Sequence, residues 1–414
     1  MYFGVVDNDF AIDKKNNGSF KMKISKNIFL NLTLLCAVFP YVNFGIDLFH
    51  VDTQPFVILF GTLYLLFKTK HRLFFGDYVK KYFLLMLLML VTLALLFVFH
   101  LIAVRYCLLY LFFIQLNLIF FVVFSDELNL DYLEFYIKLA TIVYLVAAVI
   151  QTILNKQAFV FLLFDLRTNV TRGVTSLAPE PTFYAIICLF LILILLMFKF
   201  KNYKVYIGIL LFEIIFLSKS TMIILFLIMV PIVIFVFRTP SSRDLVKKFF
   251  KYILYVVLCF VAVYLLLNLF LSLNDNFFHI NNRFTIVLTK LLSILHNFSF
   301  QSVLNIDASV RDRVLAITNS YSDSFDGYLL PQGQKEPIMS YFGSFVYTFG
   351  FIGIIYCLYI SYVFYRVHSL AYAVFMSVLL NMAINVSFSL VIIFTVLNFV
   401  YIKKLNLEIN SKSI

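Results

Sequence analysis

Charge is what this sequence has least of. Only 13% of its 414 residues are Asp, Glu, Lys or Arg, whereas 63% are hydrophobic, and the mean hydropathy is +0.98. A soluble domain carries about 25% charged and about 45–50% apolar residues. A water-soluble core cannot absorb this much Phe, Leu and Ile without exposing it, so a large soluble protein is excluded. Tryptophan is absent, which leaves the 26 tyrosines to occupy the membrane-interface belt. Cysteine is scarce. Cys36, Cys107, Cys188, Cys259 and Cys357 stand singly in apolar runs, without paired or metal-ligand spacing, and read as small packing residues. The N-terminus has no short apolar core followed by a small-residue cleavage site, so no cleaved signal peptide is expected. There is no Walker motif, no GxGxxG and no HExxH.

What the chain does have is a series of apolar runs long enough to cross a bilayer, each needing roughly 20 residues. The expected fold is an all-α integral membrane protein of about 12 transmembrane helices with one large extracytoplasmic loop. A Lys-rich cytoplasmic tail, 1–27, precedes spans at about 28–47, 53–67, 82–101, 105–124, 132–154, 183–198, 203–217, 221–237 and 252–271. Pro40 and Gly45 are expected to kink the outer end of the first. A loop at 272–341 leads to a tenth span at about 343–365. The apolar stretch 369–402, interrupted by Asn381 and Asn385, is divided into two more, and 403–414 forms a second cytoplasmic tail. The bundle thus comprises 28–271 and 343–402.

The net charge of +12 lies in clusters at 14–26, 68–81, 199–204, 238–251 and 403–404. This pattern fits the positive-inside rule rather than nucleic-acid binding. With both termini inside, all five clusters fall on one side, and the long connections 155–182 and 272–341 fall on the other. Within the first connection, Ala158 to Leu166 is apolar but too short to span, and reads as re-entrant or interfacial.

The stretch Arg167 to Tyr184 stands out, with two arginines, a glutamate and two prolines at the mouth of an apolar bundle. Ionisable groups there are costly unless paired or used. Outer-face cations are Arg105, Arg167, Arg172, Lys219, Arg283, Lys290, Arg311, Arg313 and Lys335. Arg283, Lys290 and Lys335 read as solvating loop charges. Arg172 and Arg311 each lie in a short polar knot beside an acid, and a guanidinium fork suits phosphate oxygens. Lys219 sits in a three-residue turn, either as a loop cation or as a ligand. Glu180 lies between Pro179 and Pro181, which hold it in a non-helical position. It is a helix N-terminal acid, an orienter of arginine or an acceptor of a sugar hydroxyl proton. His279 and His296 read as polar surface of the large loop. No acidic pair of the DxD kind lies outside, which argues against a metal-dependent nucleotide-sugar transferase, so neither metal nor cofactor is expected.

Five local features resemble the Wzy-type O-antigen and capsule polymerases, whose wider group includes the O-antigen ligases. RGVTSLAPEPTFY (172–184) is similar to the family's Arg-Gly-x-x-x-Glu-Pro-Ser region opening a span. LSKS (217–220) resembles its Leu-Ser-x-Ser-Arg-Thr turn, with Lys in place of Arg. DASVRDR (307–313) resembles the Ser-x-x-x-Arg stretch of the external loop. YLLPQGQ (328–334) sits where a Gly-x-Gly element is usual, and FGFIGIIYCLY (349–359) is similar to the small-residue span that follows.

The resemblance implies a GT-C-like bundle in the bacterial inner membrane, with its site facing the periplasm or exterior. It implies a metal-independent glycosyltransferase that moves a growing glycan from undecaprenyl pyrophosphate to the non-reducing end of another lipid-linked repeat unit. The implied partners are the lipid-linked oligosaccharide and membrane lipid, with a chain-length regulator and a flippase, and no nucleic acid. By the same resemblance Arg172, Glu180 and Arg311 are the catalytic candidates, and Arg167, Lys219, Ser309 and Arg313 the pyrophosphate-binding ones. A ligase of the same fold would place a His near the end of the large loop, and 328–342 contain none. A polysaccharide flippase would carry basic residues at the bundle midplane, where the spans hold almost no charge beyond Glu213.

Overall fold

The computed structural model describes residues 28–45, 53–67, 77–124, 128–163, 165–167, 173–220, 329–336 and 340–367, with single positions between 272 and 376. The expected spans at 221–237, 252–271 and 369–402, both tails and most of the 272–341 loop lie outside the described residues. The described elements are helical, without a strand among them.

Seven helices precede residue 220: α1 (Ile28–Val38), α2 (Phe56–Phe67), α3 (Asp77–Val98), α4 (Val104–Phe124), α5 (Leu128–Ile153), α6 (Pro181–Phe198) and α7 (Tyr203–Phe212). Four stretches, Asp77–Val98, Val104–Phe124, Tyr132–Ile153 and Pro181–Phe198, are long and apolar enough to cross a membrane. The protein is accordingly a multi-pass, helical membrane protein. Burial separates these helices. Inside α6, 78% of the apolar window is covered by the protein, against 39% for α3. A helix apolar all round and covered all round is a central one, so α6 is the post against which its neighbours pack.

Chain chemistry sets the helix ends. The first span was expected to reach 47, but α1 stops at Val38, two residues before Pro40, whose missing N–H and ring cannot continue it. Gln54 closes the gap to α2. Its Nε2 donates to the Cys36 carbonyl at 2.7 Å and its Oε1 accepts from Val57 N at 3.1 Å, so one side chain serves orphan groups of both helices. α6 begins at Pro181 directly after Glu180, whose backbone is extended (φ −139°, ψ 153°). α7 runs into a π-helical segment, Glu213–Ser218, before Lys219 turns left-handed at φ 50°.

One expectation is corrected. The apolar run read as a single tenth span, 343–365, is two antiparallel helices, α8 (Tyr341–Phe349) and α9 (Phe351–Val367). Gly350 turns the chain at φ 57°, and a Cβ there would run into the carbonyl of Leu329. Gly353 lets α9 lie against the Phe345 carbonyl, and the Tyr341 and Tyr356 hydroxyls meet at 2.8 Å. α8 is therefore a half-height helix, and its chain enters from the rim through the extended segment 329–334. Gln332 N and Gly333 N donate to the carbonyls of Tyr347 and Thr348. Gly333, at φ 73°, packs on the Leu101 carbonyl, and Ala103 N donates to Gln334 O at 2.9 Å. Hydropathy counts apolar atoms and is blind to the direction of the chain that carries them.

The short apolar piece at 158–166 does not form a span. It holds a single 3₁₀ turn, Val160–Leu162, whose Leu162 carbonyl accepts from the amides of Asn43 and Phe44. The turns at 39–55, 99–103, 154–180 and 217–220 and the segment 329–334 gather at one end of the bundle. Cys107, Cys188 and Cys357 are buried and Cys36 is half-buried, in the packing positions expected of them; Cys259 lies outside the described residues.

Candidate functional site

The polar end is built from α5 upward. Past Ile153 the chain makes an Asx turn, with Gln157 N donating to Asn155 Oδ1 at 3.0 Å. It passes through the 3₁₀ turn and reaches Arg167, whose N–H donates to the Pro179 carbonyl at 2.8 Å. That bond joins the two limbs of the loop and places Arg167 beside Glu180. The guanidinium Nε lies 3.1 Å from Glu180 Oε1 in an ion pair without directed hydrogen-bond geometry, and 3.8 Å from Asp165 Oδ2. Its Cζ sits 5.7 Å from the centroid of the Phe183 ring. Pairs this exposed contribute about 0–1 kcal/mol to stability, so orientation of the guanidinium is the larger consequence. Glu180 cannot swing away, since Pro179 and Pro181 fix the backbone on both sides.

The second limb is pinned from two directions. Val174 N donates to the Leu217 carbonyl at 3.0 Å, and Gly173 lies so close to the Ser218 carbonyl that any Cβ would collide with it. The strand that follows Arg172 is thereby seated on the turn carrying Lys219. From the other side, buried Gln151 of α5 meets Thr175 and Ser176. Ser176 adopts φ 54°, uncommon for a residue other than glycine, and its Oγ donates to the Tyr144 carbonyl at 2.7 Å.

Lys219 is exposed at the rim. Near it stands Lys156, whose ammonium is held below the ordinary lysine range by burial first and by the Lys219 charge second. Desolvation and a like charge both disfavour the ammonium form, and an anion brought between the two lysines would relieve the repulsion. Lys156 was missed among the outer cations. Its signal in the sequence was a lone Lys just past the apolar run of α5.

One turn below Lys219, Glu213 is wholly buried at the start of the π segment. Tyr184 Oη donates to its Oε2 at 2.6 Å and Cys188 Sγ approaches the same oxygen at 3.5 Å, while Oε1 has no hydrogen-bond partner. π segments concentrate at functional sites. Here the segment joins the acid that grips α6 to the turn that presents Lys219.

Of the site residues expected from sequence, the structure brings Arg167 and Glu180 into direct contact and seats Lys219 beside the strand at Gly173. Arg172, Ser309, Arg311 and Arg313 lie outside the described residues. Among the described residues, no three His, Cys, Asp or Glu side chains come together. No family model, curated protein or solved structure matches the chain.

Proposed function

We propose that this protein is a polysaccharide polymerase of the Wzy type, transferring a growing glycan from undecaprenyl pyrophosphate to another lipid-linked repeat unit. The observation that carries the reading is the Arg167–Glu180 pair at the mouth of an apolar helical bundle, with Lys156 and Lys219 at the same end. A hydroxyl oxygen at the non-reducing end of the acceptor attacks the anomeric carbon of the donor glycan. The bond from that carbon to the pyrophosphate oxygen breaks, and the electron pair leaves with the lipid pyrophosphate. The hydroxyl proton passes to a base or to water. Fixed cations aimed at the departing pyrophosphate stabilise the charge that develops on it. Arg172 and Arg311 share this role with Arg167, and Lys219, Ser309 and Arg313 hold the phosphates. The ion pair to Arg167 favours Glu180 as the group that aims the guanidinium.

Surface polysaccharide on a gel tests the reading. Arg172→Ala and Arg311→Ala are each expected to leave a single repeat unit on the lipid anchor. A bare anchor with polymer retained on the carrier lipid identifies a ligase instead. Undecaprenyl-linked units trapped inside identify a flippase. A normal ladder from both variants removes the site assignment. A reporter fused at Asn319 is expected outside the cell, and a cytoplasmic signal overturns the orientation.

A further inference from the structure

Gln151 has no place in the chemistry above, yet it is the most completely used polar side chain at this end of the bundle. It lies in the last turn of α5 and is 1% exposed. A primary amide offers two acceptor lone pairs and two donors. Oε1 accepts from Ser176 N at 2.7 Å and Thr175 N at 3.1 Å, and Nε2 donates to Ser176 O at 3.0 Å and Thr175 Oγ1 at 3.3 Å. Both backbone amides are donors, so the oxygen must face them and the orientation of the amide is settled by its partners. The side chain acts on two consecutive residues as a neighbouring strand would, satisfying backbone that no strand or helix serves.

The pinned residues are informative. Thr175 and Ser176 are fully buried and carry the left-handed kink of the loop. On one side of them is Gly173, seated on the Ser218 carbonyl, and on the other is Pro179, which receives the Arg167 amide. α5 thus holds the midpoint of a strand whose ends reach the Lys219 turn and the Arg167–Glu180 pair. A leucine in place of Gln151 would leave two buried N–H groups without acceptors, a cost that releases the kink.

We infer that Gln151 is a positioning residue: a bracket on α5 that fixes the 173–180 strand so that the cations at its two ends face one anionic lipid headgroup. This rests on the polymerase reading. Misplacement of a binding group by about 1 Å can lower a rate by about 10²-fold, so a bracket remote from the chemistry is expected to act on turnover.

The full-length protein in lipid nanodiscs, supplied with lipid-linked repeat units extracted from cells deleted for this protein, provides the test. Gln151→Leu is expected to speed deuterium exchange at the Thr175 and Ser176 amides. It is also expected to lower kcat on the order of tenfold to a hundredfold, counted per folded molecule. Gln151→Glu, which keeps an oxygen acceptor at the same reach, is expected to recover most of both. Unchanged exchange overturns the bracket. Faster exchange with unchanged turnover, or a loss of folded protein with turnover per molecule intact, overturns the positioning role. Wild-type protein that fails to extend the lipid-linked units, while Gln151→Leu still frees the two amides, overturns the polymerase reading and the role built on it.

Discussion

The segments 173–180 and 329–334 both carry irregular backbone into the same end of the bundle, and they are held in opposite ways. The first is served by a helix: Gln151 reaches out from α5 and supplies the hydrogen bonds the strand lacks. The second serves itself. Gln334, from within the segment, accepts from Tyr110 Oη at 2.9 Å and Thr348 Oγ1 at 3.3 Å, while neighbouring amides bond to carbonyls of α8. The rims differ in the same sense. Around 173–180 stand Lys156, Asp165, Arg167, Glu180 and Lys219. Around 329–334 the buried groups are neutral, and Lys335 and Glu336 are exposed. Where a rigid helix satisfies the backbone, the loop's own polar side chains are available to a ligand. Where the loop spends its side chain on its own seat, it is an anchor.

That contrast is breakable. The largest effect is expected at the charged rim, where Arg167→Ala and Glu180→Ala each lower polymer formation by about 10²–10³-fold. The polysaccharide ladder, normalised to protein in the membrane, measures it, and equal ladders would erase the distinction between the rims. At the neutral segment the expected damage is to folding. Gly333→Ala forces a non-glycine residue to φ 73° against the Leu101 carbonyl and costs about 1–3 kcal/mol. Thermal unfolding in detergent should show it, with turnover per folded molecule preserved. Tyr110→Phe removes the hydroxyl shared by Gln334 and Thr348 and is expected to cost about 1 kcal/mol in the same assay. Smallest of all, Lys335→Ala should leave both ladder and melting temperature unchanged. A loss of polymer there would make the second segment part of the site.

Much of this was readable in the chain. The apolar runs place α3, α4, α5 and α6 within a few residues of where they lie, because a bilayer-length stretch of Leu, Ile and Phe has few alternatives to a helix. The two prolines around Glu180 announced a fixed, extended residue, and the backbone there is extended. The α8–α9 hairpin was hidden, since 341–367 is apolar throughout and only Gly350 marks the reversal. Lys156 and Gln151 were hidden for a related reason. Each is a single polar residue at the end of a long apolar helix, and its importance lies in a partner more than 20 positions away. Contacts made by Arg172, Ser309, Arg311 and Arg313 are not among those described.

The π segment between α7 and Lys219 carries a consequence of its own. A π turn accommodates one residue more than the α-helical ladder would, so it is a helix with an insertion that was never straightened. Each α-helical residue contributes about 100° of rotation and about 1.5 Å of rise. Deleting one residue between Glu213 and Ser218 would let the ladder close, and Lys219 would swing by about 100° around the α7 axis and drop by about 1.5 Å. The lysine would then leave the Gly173 strand for another face of the helix, although no charge, no contact residue and no loop had been altered.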